Sequence, residues 1–193
     1  MIKNDVLHCL KVGGILCAIG ATSALLIAAT NMLTGKAISE HEKQKEEIAL
    51  KEVFVDNEGK VPEDLVIGDK TELNDSKYSK LLSYWNPKST NEKENEDKKY
   101  GYVFKTEGSD KNNYGTITML VVINNDYSIG KISIVKNTES YATTVQKDYV
   151  DEYNKGNRPL TDVSCGATYG ATVIKEMSER ASNYVKEVLN NGK

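Results

Sequence analysis

Cysteine and histidine, the side chains that most often carry metal or nucleophilic chemistry, are nearly missing from this 193-residue chain. The 3 cysteines, Cys9, Cys17 and Cys165, are odd in number and form no C-x-x-C pair, so neither a disulfide framework nor a thiolate metal site is indicated. The 2 histidines, His8 and His41, are too far apart to help, which leaves histidine-based catalysis and zinc chemistry close to excluded. An excess of positive charge is missing as well. With 25 basic and 28 acidic residues the net charge is −3, which offers no field for a phosphate backbone, and nucleic-acid binding is disfavoured. The length suits one domain of about 100–200 residues with extensions.

What is present is segregated. From Val12 to Leu33 the chain reads VGGILCAIGATSALLIAATNML, 22 residues without a charge. At ~1.5 Å per residue a helix of this length spans a ~30 Å hydrocarbon layer. Gly13, Gly14 and Gly20 with Ala18, Ala21 and Ala24 leave one side of it small. That pattern fits a helix packed against others in lipid and equally a lone anchor. A cleavable signal peptide has a shorter apolar core of ~7–15 residues, so a retained anchor is the better reading, although Ala28-Ala29-Thr30 is a weak exit site. Bulky Leu16 argues against lipid modification of Cys17. Lys3 and Lys11 precede the helix and Lys36, Lys43 and Lys45 follow it. A literal count of these charges places the large C-terminal part in the cytoplasm, but long domains cross regardless of charge, and the residues leave the side open.

The expected organisation is an N-terminal segment 1–11, a membrane helix 12–33, a stalk helix 34–54 and a body 55–193. Ala37 to Phe54 reads as amphipathic, with Ile38, Ile48, Leu50, Val53 and Phe54 as its apolar contacts. Asn86 to Lys99 holds nothing larger and apolar than a threonine methyl and is expected to be a mobile loop. A strand begins at Tyr100-Gly101-Tyr102-Val103-Phe104. Ile117 to Ile123 is a second, and Ile132 and Ile134 mark a third, joined to the second through Asn124-Asn125-Asp126 as an antiparallel hairpin. A short helix follows from about Thr143 to Asn154. A final helix carries an apolar stripe of Val173, Met177, Ala181, Tyr184, Val185 and Val188 and ends at Asn191-Gly192. Strands followed by helices in one body argue α+β. Tyrosine is abundant, 11 copies against 2 phenylalanines; most are expected to be half-buried in the sheet, and Tyr169 is best placed to stack on a planar ligand.

The chemistry concentrates between the two helices of the body, in TDVSCGATYGAT, Thr161 to Thr172. Small residues run directly into a helix start, where free backbone N–H groups around Gly166 to Gly170 and the macrodipole favour an anion by about 0.3–2 kcal/mol. A phosphate suits that place. A ligand-free turn capped by Thr168 or Ser164 satisfies the same residues, and on physics alone both readings stand.

The segment resembles the flavinylation motif D-x-x-[ST]-G-A-[ST] of the G subunit of the Rnf electron-transport complex and of the C subunit of the sodium-pumping NADH:quinone reductase. Asp162 matches the Asp, Gly166 and Ala167 the Gly-Ala, and Thr168 the acceptor, while Cys165 stands where Ser or Thr is usual. The resemblance extends to Asn31, Leu33, Thr34 and Ile38 after the membrane helix, to Lys51-Glu52-Val53-Phe54, to Tyr100-Gly101-Tyr102-Val103 and to Thr138-Glu139. Where the family often has Pro-Gly-Leu-Gly, this chain has Ser140-Tyr141-Ala142-Thr143. The resemblance implies FMN joined through its phosphate to Thr168 by a flavin transferase. Gly166, Ala167, Tyr169 and Gly170 would lie around the cofactor, and Asp162 and Cys165 within the stretch that the transferase reads. It implies a single-pass cell-membrane protein with an extracytoplasmic FMN domain and a cytoplasmic N-terminus. Its partners would be the other membrane subunits of an ion-translocating ferredoxin:NAD oxidoreductase, and it would be no complete catalyst alone. Another membrane-anchored FMN carrier and a nonredox anchored binding module are the competing readings.

Overall fold

The computed structural model describes residues 2–55, 59–91, 100–112 and 114–190. The chain divides into two compact units, residues 1–45 and 46–193. The first unit lies within α1 (Ile2–Glu52). Lys11–Met32, 22 residues of it, is long and apolar enough to cross a membrane, and none of that stretch is buried in the protein. Two of its hydroxyls are satisfied within the helix: Thr30 donates to the Leu26 carbonyl at 2.8 Å and Thr22 to that of Ala18. Such pairing is what a hydrocarbon surrounding demands.

The second unit is α+β. Its main sheet has the order β2–β3–β5–β6–β7, every neighbour antiparallel. The strands are β2 (Lys70–Glu72), β3 (Leu81–Trp85), β5 (Tyr102–Gly108), β6 (Ile117–Ile123) and β7 (Ile129–Asn137). A separate pair joins β1 (Leu65–Val66) to β4 (Lys88–Ser89). Helix α2 runs over 142–154 with a π turn at Val145–Val150, and α3 (Thr168–Tyr184) continues into another at Val185–Leu189.

All seven residues of β6 are buried because the sheet is covered on both faces, so its sequence is a continuous apolar run instead of an alternation. On one face Phe104, Met119 and Val121 meet Val173, Ile174, Met177 and Ala181 of α3 and Val145 and Tyr149 of α2. On the other, Val103, Leu120 and Val122 meet Trp85, Ala49 and Leu50 of the last turn of α1, and Val53 just beyond it. A bulge between Leu81 and Ser83 changes the register of β3, which lets Leu81 join the first cluster and Trp85 the second.

Several expectations need correction. Ile48 is 57% exposed and Ile38 58%. The face of α1 that meets the sheet is set by Ala49 and Leu50, with Val53 just beyond the helix, and Ile48 points a helical step away from it; Ile38 belongs to the first unit, where among the described residues no second element offers it a surface. The helix itself stops at Glu52 and the chain turns at Val53–Phe54. Val188 is 46% exposed, because the wider π turn carries it out of the stripe while Val185 stays buried. The strand expected from Tyr100 begins at Tyr102. The loop expected over Asn86–Lys99 is anchored at its start: Ser89 is buried, and its hydroxyl donates to Asp64 Oδ2 at 2.6 Å. Residues 92–99, like the helix end at Asn191-Gly192, lie outside the described residues. The 124–126 turn is as expected, closed by the Asn124 N–H donating to the Ser128 carbonyl at 2.9 Å.

The open edge of β7 is blocked by one side chain. The Asn154 carboxamide accepts from the Ile132 N–H at 3.0 Å and donates to its carbonyl at 2.7 Å, taking the place of a further strand.

Candidate functional site

Cys165 leads into Gly166, whose φ of +80° is a left-handed conformation that glycine adopts without strain. The chain then enters α3 through Ala167, which sits at the cap position with φ −128° and ψ 51° and no side-chain cap. The turn capped by Thr168 or Ser164 is therefore not what forms. The Ser164 N–H instead donates to Asp162 Oδ1 at 3.1 Å, one step earlier in the chain. The first α3 amide to reach a carbonyl of this turn is that of Ala171, which donates to Ala167 at 3.1 Å. The amides of Thr168, Tyr169 and Gly170 precede it at the positive end of the dipole, where a helix has no carbonyl of its own to offer them.

This helix start forms one wall of a cavity of about 550 Å³. Gly166, Ala167, Thr168, Tyr169 and Gly170 line it together with Tyr114, Glu139, Ser140 and Tyr141. The five residues expected around a cofactor are thus brought together in one cavity. Asp162 and Cys165 are not part of its lining. Asp162 holds the turn instead, with Oδ2 3.7 Å from Arg158 Nη1, and Cys165 is half-buried against the main core.

Three tyrosines stand at the mouth. Tyr114, Tyr141 and Tyr169 are 54%, 64% and 57% exposed, whereas Tyr78, Tyr102, Tyr149 and Tyr184 are buried. The rings of Tyr114 and Tyr169 lie 5.6 Å apart at 42°. Exposed aromatic rings at a cavity rim offer apolar faces to a planar ligand.

The two Gly-Ala-Thr hydroxyls differ. Thr172 donates its hydroxyl to the Thr168 carbonyl at 2.7 Å and is not in the lining, while Thr168 is exposed and lines the cavity.

Glu139 brings a carboxyl group to the lining. It is 8% exposed, its N–H donates to Asn137 Oδ1 at 2.9 Å, and its Oε1 has no hydrogen-bond partner. Burial, and secondarily the nearby charge of Asp110, push its carboxyl above the ordinary value. Neither Glu139 nor Tyr114, Ser140 and Tyr141 was singled out as a site residue from the sequence. The one available pointer was that Thr138-Glu139 belongs to the resemblance. Among the described residues no cluster of acidic, histidine or cysteine side chains could hold a metal ion.

The structure therefore defines an α+β domain with a ligand-sized cavity at an uncapped helix start, in a chain that also holds one helix able to span a membrane. No protein-family model matches the sequence, and no curated protein matches it.

Proposed function

We propose that the protein is an Rnf-type electron-transfer subunit, a single-pass membrane protein whose extracytoplasmic domain carries FMN as a phosphoester on Thr168. The observation that carries this reading is the position of Thr168, an exposed residue in the wall of a cavity at the first turn of α3. The residues present fit the group. The volume, about 550 Å³, falls in the ~300–1,000 Å³ of small-molecule sites. Uncapped amides suit a phosphate and the rim tyrosines suit a flat ring.

Bound flavin supplies the redox chemistry. The chain supplies the anchor and the surroundings. Thr168 Oγ1 is the oxygen of the ester, and the amides of Thr168 to Gly170 offer hydrogen bonds to the phosphate. Small Gly166 and Ala167 leave the backbone accessible to a transferase. A covalent link holds the ring at fixed local concentration, so the open rim costs no cofactor to dilution. The membrane helix keeps the domain beside its partner subunits, which hold the sites for donor and acceptor.

Coexpression of the full chain with a flavin transferase of this family, followed by intact mass and ultraviolet-excited fluorescence on a denaturing gel, tests the reading. Thr168→Ala is expected to abolish the label and Thr172→Ala to keep it. The reverse result assigns the wrong hydroxyl, and an unlabelled wild-type chain favours a nonredox module.

A further inference from the structure

A cavity that receives a phosphate should not present a carboxylate to it, yet Glu139 lies against the backbone of Gly170, the third residue of α3. A β-carbon built at Gly170 would run into Glu139 Oε2 and stand 3.2 Å from its Cδ. The side chain is more than nine-tenths buried, lines the cavity and leaves Oε1 without a partner. Among the described residues no lysine or arginine is in the lining to offset a negative charge.

We propose that Glu139 is the proton-holding residue of this cavity, neutral when an anionic group occupies the start of α3 and readier to ionise when that end is free. The proposal rests on the reading of Thr168 as the flavin anchor. A neutral carboxylic acid removes the repulsion and also gains an O–H donor, which would position an acceptor atom on the ligand's ring.

The groups facing Glu139 set the balance. Asp110, from the segment between β5 and β6, opposes ionisation, as does burial. From its own strand end, Asn137 contributes a neutral amide whose Oδ1 accepts the Glu139 N–H and whose Nδ2 has no partner among the described residues. Val145 of α2 brings only an aliphatic surface near Gly170. Tyr114, Tyr141 and Tyr169 are the other titratable residues of the lining. The start of α3 favours the charged form. A phosphodiester placed there cancels that influence and adds a like charge, so Glu139 becomes about tenfold or more weaker as an acid.

Infrared titration of the full-length protein in detergent reads this directly, through the carbonyl stretch of a protonated carboxylic acid. The flavin-bearing chain is compared with Thr168→Ala, and each with its Glu139→Gln counterpart to identify the band. The band is expected to persist to a pH at least about one unit higher in the flavin-bearing chain, to vanish in Glu139→Gln and to return, shifted, in Glu139→Asp. A band with the same midpoint in both chains, or one that survives Glu139→Gln, overturns the proposal while leaving the flavin reading intact. A colourless wild-type chain overturns both. Should Glu139→Gln not fold, Glu139→Asp still identifies the band by its displacement, and absence of any displacement counts against Glu139.

Discussion

Replacing Gly170 by alanine sets helix propensity against packing, and the two predict opposite signs. Alanine is a better helix former than glycine by about 0.5–1 kcal/mol, and Gly170 is in the first turn of α3. A propensity account therefore expects a slightly more stable protein. The added methyl, however, would run into Glu139 Oε2 and stand 2.7 Å from Val145 Cγ2. The carboxylate is the end of a flexible side chain and can shift. Val145 cannot, being β-branched and fully buried in the core between α2 and α3. Overpacking of this kind costs about 1–3 kcal/mol, and two contacts inside van der Waals distance place it in the upper half, for a net loss of about 1–2.5 kcal/mol. For a chain of this size that lowers Tm by about 2–10 °C. Thermal unfolding followed by the fluorescence of Trp85, the single tryptophan, reports on the second unit without added probes. Adding Glu139→Ala to Gly170→Ala should recover part of the loss, as coupled neighbours do. A Gly170→Ala protein as stable as the wild type, or more so, would refute the close approach of Val145 and Glu139 to the start of α3 and with it the shape of the cavity.

Other outcomes follow from single residues. Asn154→Ala strips the partner from both backbone groups of Ile132 and should cost about 1–3 kcal/mol in urea denaturation; an unchanged midpoint would mean the β7 edge is satisfied without it. Cys165→Ser should preserve flavin labelling or improve it, since Cys165 lies outside the cavity lining; loss of label would assign the thiol a direct part in modification. Glu139, whose carboxyl is raised by burial and then by Asp110, gives up its proton at higher pH in the folded than in the unfolded chain. Its contribution is therefore fully present below the ordinary glutamate range and is lost as pH rises through the folded value. Glu139→Gln should flatten that decline in a Tm-versus-pH series, and an unaltered slope would place the ionisation elsewhere.

How much of this was legible beforehand depended on whether the cause was local. The membrane-length helix, β6, the Asn124–Ser128 hairpin and the stripe of α3 are written in consecutive residues, by apolar continuity, turn chemistry and three–four spacing. The strands β1 to β4 were not anticipated. They are two to five residues long, and Lys70–Glu72 is exposed throughout, so no apolar alternation marks it. It is a strand because β3 lends it a ladder, with Thr71 opposite Tyr84. Ile48 misled for a related reason. Its neighbours Ala49 and Leu50 are no more apolar in sequence, and only the direction from which the sheet approaches decides which of them is covered.

The site divides along the same line. Gly166 to Gly170 could be read directly, because a left-handed glycine, small residues and a helix start are consequences of their own covalent structure. The opposite wall could not. Tyr114 precedes β6, Glu139 and Tyr141 follow β7, and the hairpin between those strands returns the chain so that both segments reach the start of α3. In the sequence Glu139 is one of 28 acidic residues, with polar Thr138 and Ser140 beside it, and nothing there says that it is buried. Its carboxylate lies beside Gly170 of α3, far from it in the chain, and Val145 of α2 packs close to the same glycine. A cavity with one legible wall and one hidden wall has a chemical consequence. On the proposed reading the legible wall would receive the anion, and the protonation state that accommodates it would be set from the hidden one.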